Sequence, residues 1–136
     1  MLNPGVIKDK DVTPSKLIVT DHGKDSYLGI TLDASAVDSG NTPTTTLRKG
    51  LVIAELDAGN YADYLDGQTD GREVAVGILV DQVDMLASAP DEVTPVDSLG
   101  RIIKHGVILA DACVGLDLAA IADLPNIEFR GTLPTS

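Results

Sequence analysis

The segment 72–80, REVAVGILV, is apolar on both faces that the two-residue period of a strand defines. Val74, Val76, Ile78 and Val80 fall on one side; Ala75, Gly77 and Leu79 fall on the other. A strand of this kind belongs at the centre of a fold, with packing on each face. Gly77 interrupts it where a β-branched residue would fit the pattern, which predicts a bulge or the close approach of another backbone. Just upstream, Asp66-Gly67 and Asp70-Gly71 are the strongest turn signals of the chain, because glycine takes positive φ without a Cβ clash.

The surrounding segments extend this β reading. LRKGLVIAEL, Leu47–Leu56, predicts a second doubly buried strand, with Leu51 and Ile53 on one face and Val52, Ala54 and Leu56 on the other. A short strand is expected around Tyr61–Leu65, between two turns. The stretch from Asp84 to Leu99 is rich in turn residues and reads as an exposed excursion. RIIKHGVILADACV then resumes strand character, with His105 inside the strand and a bend at Gly106. Asp117 is placed to cap a short helix, LAAIADL, whose Leu118, Ile121 and Ala122 would form the apolar stripe and which Pro125 would stop. NIEFRG predicts a last strand. The fold class is therefore mainly β, a compact body with one or two short helices.

Residues 1–43 differ in pattern. Their apolar residues come in short groups, KLIVT and SYLGITL, separated by polar stretches with Pro4, Pro14, Gly23 and Gly40. Such a segment can pair as strands but has too little apolar surface to fold alone. It reads as an extended N-terminal arm, joined through a linker, DSGNTPTTT (Asp38–Thr46), to a body that occupies residues 44–136. Residues 1–24 carry four lysines against three aspartates, a net +1. Since the whole chain carries −11, residues 25–136 carry −12.

That acidity argues against a nucleic-acid surface, which needs Lys and Arg to displace phosphate counterions. No Trp and a single Phe remove most stacking platforms as well. No apolar run approaches the roughly 18 to 20 residues that span a bilayer, and the start MLNPGVIKDKD lacks the apolar centre of a secretory signal, so a protein made in a cytoplasm is expected. The single Cys113, in ADACVGL, reads as a small buried hydrophobe.

No nucleophile elbow, H-E-x-x-H pair or phosphate-binding loop is present. His22, in a turn-like TDHGK, and His105 have no Cys or His neighbour at ligand spacing. The acidic residues Asp57, Asp63, Asp66 and Asp70, with glycines between them, allow two readings. They could hold calcium or a sugar, although the spacing is not that of an EF-hand; or they make turns and keep the surface soluble.

Taken in order, a Thr-rich lead, LRKGLVIAEL, a turn, DYLDGQTDGREVAVGIL, an excursion, HGVILADAC, a short Ala-rich helix and NIEFRG resemble the head decoration protein family of tailed bacteriophages, the lambda-like capsid decoration proteins. The resemblance spans about Thr44 to Gly131, and its most specific element is the turn followed by AVGIL. It implies a non-enzymatic body of β-clip type, without metal or cofactor, that assembles as a homotrimer. Such trimers sit on the outer surface of the expanded virion head at three-fold and quasi-three-fold sites and cement it. It also implies an arm that pairs with strands of the major capsid protein, for which the contact residues here would be Leu17, Ile18 and Val19, continued by Thr44, Thr45 and Thr46. The arm is longer than a simple tail, so SYLGITL is expected either to join the body or to wrap a neighbouring subunit.

Overall fold

Two apolar cores, one on each side of the same strands, organise the protein. The computed structural model describes residues 27–135, which form strands β1 (Tyr27–Leu32), β2 (Thr46–Leu47), β3 (Val52–Glu55), β4 (Tyr61–Asp63), β5 (Ala75–Leu79), β6 (Val83–Asp84), β7 (Ser98–Ile103) and β8 (Gly106–Leu109), a single 3-10 turn at Ala110–Ala112, helix α1 (Leu118–Asp123) and strand β9 (Ile127–Arg130). The fold is mainly β. Strands β1, β4, β3, β5 and β7 form a closed barrel in that order; β2–β6 and β8–β9 are separate two-stranded sheets.

All five barrel strands contribute to the inner core, through Ile30 and Leu32, Ala62, Ile53, Leu79 and Ile102, so this core is the barrel's interior. The outer core sets Val52 and Ala54 of β3, Ile78 of β5 and Ile103 of β7 against Ile108, Ala120, Leu124 and Ile127. The β8–β9 pair and α1 thus lie over the outside of β3 and β5. Ile53, Ala54, Ile78 and Leu79 have no exposed surface, as the double-sided pattern of their strands requires.

Gly77 meets both of its expected constraints. The β3–β5 register slips between Ile53, opposite Gly77, and Ala54, opposite Ala75, so one extra residue bulges out of β5. A Cβ on Gly77 would also stand 2.8 Å from Ile102 Cδ1 and 3.0 Å from the Ile103 carbonyl. Because of the bulge the strand does not keep strict alternation: Ala75, Ile78 and Val80 join the outer core, while Val76 and Leu79 face the inner one. At the entry turn Gly71 takes φ +108, and a Cβ there would lie 2.3 Å from the Glu55 carbonyl oxygen.

Several expectations are corrected. Leu47–Leu56 is not one strand. Leu47 pairs with Val83 in the small β2–β6 sheet, Gly50 turns the chain with φ +98, and β3 begins at Val52. His105 is exposed at a bend between β7 and β8, not inside a strand. Helix α1 is capped by Asp117, whose carboxylate accepts from Ala120 N at 2.8 Å, and it stops before Pro125. Its buried side is Ala120 with the flanking Leu124, whereas Leu118 and Ala122 are exposed and Ile121 is half-buried. The helix is too short for its stripe to follow the sequence pattern, and the Tyr64–Asp117 bond described below fixes its rotation instead.

The boundary at residue 43 falls inside the body. Tyr27–Leu32 is a barrel strand, paired residue for residue with β7 from Tyr27 opposite Ile103 to Leu32 opposite Ser98. The excursion is anchored too. Met85 is fully buried and donates its N–H to the Thr45 carbonyl (2.9 Å), Ala89 is buried, and Ser98 and Leu99 already belong to β7; the tip at Val93 is exposed.

Two strand glycines give a paired test. Gly77→Ala forces a methyl into Ile102 and the neighbouring backbone and should cost about 1–3 kcal/mol in urea unfolding. Gly29→Ala, where a Cβ meets nothing within 4 Å, should cost nothing and gain up to about 1 kcal/mol. Equal effects would contradict the packing described for β5.

Candidate functional site

The residues bearing on function fall in two places, the junction around β1 and an acidic cleft beside it. Leu17, Ile18, Val19 and His22 lie outside the described residues. The chain enters the barrel wall at Tyr27, at the end of β7.

Thr44, Thr45 and Thr46 are described, and they are folded into the body and do not continue an extended lead. Thr44 O accepts from Asp38 N (2.9 Å), Thr45 O accepts from Met85 N, and Thr46 pairs with Asp84. What holds this loop is Asp38, an acid with 1% exposure. Its carboxylate accepts from Arg48 Nε (2.7 Å), Arg48 Nη2 (2.9 Å) and Arg48 N (3.1 Å). Asn41 Nδ2 adds bonds to the carbonyls of Pro43 (3.2 Å) and Thr46 (3.0 Å). Burial pushes the Asp38 carboxyl up, but the bonds from Arg48 outweigh it and hold the group below its ordinary value. The supposed linker is therefore a folded loop built on a buried fork–carboxylate pair.

A cleft of about 370 Å³ opens beside this loop, lined among others by Asp38, Leu51, Asp63, Leu65, Asp66 and Asp117. Asp63 is buried and its Oδ1 accepts from Val37 N at 3.0 Å; burial raises its carboxyl above the usual range, against the opposing pull of that bond. Tyr64 donates its hydroxyl to Asp117 (2.9 Å to Oδ1), and burial, with this bond and the carboxylate charge, pushes the phenol far up. Asp117 thereby serves Tyr64 and the start of α1 together. At the other end of the helix, Asp123 accepts from Ala75 N (3.0 Å) and ties α1 to the beginning of β5.

The acidic turn does not gather into a ligand set. Asp57 donates its N–H to the Asp70 carbonyl, Asp70 Oδ1 accepts from Arg72 N (3.2 Å), and Asp63 is turned to Val37. Among the described residues no group of three or more His, Cys, Asp or Glu is placed to hold a metal ion. Cys113 is half-buried, its thiol 3.5 Å from the Leu109 carbonyl, and burial pushes it up to about 12, which keeps it protonated at neutral pH.

No known family model and no curated protein matches this chain.

The Asp38–Arg48 pair, the Tyr64–Asp117 bond and the Asp123 tie were absent from the sequence reading. The first spans 10 residues, the second 53 and the third 48, and no local pattern marks them.

Two carboxylates of opposite shift give opposite pH behaviour. Asp38, lowered in the folded state, stabilises fully above the unfolded carboxylate value near 3.9, and this stability is lost as pH falls through its folded value. Arg48→Ala should therefore lower unfolding stability at pH 7 by about 1.5–3 kcal/mol, and the difference from wild type should shrink below about pH 4. Asp63 is raised, so its ionisation destabilises the fold at neutral pH and ceases to matter once it is protonated in both states. Asp63→Asn, which keeps an acceptor for Val37 N, should raise the melting temperature at pH 7 and leave it unchanged at about pH 3. A gain that persists at the lower pH would show that charge is not its origin.

Proposed function

We propose that this chain is a capsid decoration protein of a tailed phage, with a β-clip-like body. It binds the outer surface of the expanded head as a trimer at three-fold and quasi-three-fold sites, and its N-terminal segment pairs with strands of the major capsid protein. The observation that carries the proposal is the division of labour along the chain. Residues 27–103 supply the five strands that close the barrel, and the apolar group KLIVT precedes them in the sequence.

An apolar, Lys-bearing segment that precedes a closed barrel suits addition to the edge of another protein's sheet. There, main-chain hydrogen bonds supply affinity and alternate side chains fix register. Three such segments on one trimer bind with raised effective concentration once the first engages. The motif order from the Thr-rich lead to NIEFRG supports the same reading, since its most specific part, the DG turns and AVGIL, builds the doubly buried centre.

Removing residues 1–20 tests the arm. The shortened chain should melt as the full chain does but fail to co-sediment with expanded, undecorated shells of the parent phage, which the full chain should bind saturably. Undiminished binding by the shortened chain, or loss of its fold, would refute the division of labour.

A further inference from the structure

The outside of the barrel wall is covered unevenly. Helix α1, β8 and β9 lie over β3, β5 and the Ile103 end of β7, but the stretch where Gly29 and Thr31 of β1 face Arg101 and Leu99 of β7 has no such cover among the described residues. Leu99 is 80% exposed one residue from the end of the β1–β7 pairing, directly opposite Thr31. One cross-strand step away is Gly29, opposite Arg101.

Among the described residues nothing calls for glycine at position 29. A Cβ there would meet no atom within 4 Å, and the residue is in ordinary strand conformation, outside the positive-φ region. Glycine inside a strand weakens it and commonly marks a place where another molecule's atoms come close. The result is a hollow of about 360 Å³, lined by Gly29, Thr31, Leu99, Gly100 and Arg101 among others, with a projecting leucine at its rim.

A knob and a hole set side by side allow a head-to-tail contact, in which the leucine of one copy enters the hollow of the next, and contacts of that kind can close a ring. Charge favours the same occupant. With −12 on residues 25–136, most approaches of two copies are repulsive, but the one charged residue lining this hollow among the described residues, Arg101, is paired with Asp81 at 2.8 Å and stacks over Tyr27 at 5.2 Å.

We infer that the outer face of the β1–β7 pair is the surface through which copies of this chain associate, with Leu99 of one copy seated in the Gly29 hollow of its neighbour. The inference rests on the proposed assembly into trimers, in which a face close to the three-fold axis meets both neighbours.

Analytical ultracentrifugation of the full chain over a range of concentrations, without shells, tests it. Wild type should sediment as a trimer of the 14.2 kDa chain. Leu99→Asp and Gly29→Val should each weaken association at least about tenfold. Gly29→Val places a strand-favouring side chain in open space, so its circular dichroism and urea midpoint at monomeric concentration should match or exceed wild type; loss of association with the fold intact is the expected result. A monomeric wild type at every concentration, or variants that associate as wild type does, would overturn the inference. A wild-type dimer dispersed by both variants would keep the contact and overturn the trimer. As no shell is involved, failure here leaves shell binding to be judged by co-sedimentation alone.

Discussion

Strand β5 packs the barrel interior with Leu79 and the outer core with Ile78, and every larger feature of the fold is arranged around that double burial. A strand enclosed in this way has a neighbour on each face as well as on each edge, β3 on one side and β7 on the other. The bulge opposite Ile53 lets Ala75 and Ile78 reach the outer core while Val76 and Leu79 turn inward, and the missing Cβ of Gly77 lets Ile102 and the β7 backbone come close. The DG turns are the entry to this strand. Gly71 admits the Glu55 backbone to a distance no side chain would tolerate. TDGREVAVGIL is thus one structural unit, a turn that delivers a strand to the centre of the molecule.

Features that follow from short-range chemistry were legible in the sequence. The DG turns, the interruption at Gly77, the Asp117 cap, the stop before Pro125 and the bend at Gly106 each depend on a few neighbouring residues. What the sequence hid depends on distant partners. Asp38–Thr46 has the composition of a linker, and only Arg48, folded back on the buried Asp38, converts it into a fixed loop. Tyr27–Leu32 carries too little apolar surface to declare itself part of the body; six paired residues of β7 supply what it lacks. The stripe expected on α1 was displaced because Asp117 and Asp123 anchor both ends of the helix to Tyr64 and Ala75, and those bonds choose its buried side.

The candidate site shows the same division. The acidic turn drew attention for its density of carboxylates, yet Asp70 bonds a local backbone N–H and Asp63 is turned to Val37. Leu99 and Gly29, which look ordinary in the sequence, become conspicuous only when the β1–β7 register sets them one step apart on a face that no other described element covers. The proposed decoration of a shell would use the β1–β7 face for association and the Lys-bearing sequence before Tyr27 for attachment.

Electron cryomicroscopy of expanded, undecorated shells of the parent phage mixed with the full chain tests this account most directly. It predicts three-fold density on the outer surface at the three-fold and quasi-three-fold positions, the body fitting as the barrel described here and residues 16–20 traceable as a strand added to the major capsid protein. Shells that carry no added density at saturating protein, or bodies bound with no contribution from residues 16–20, would contradict it.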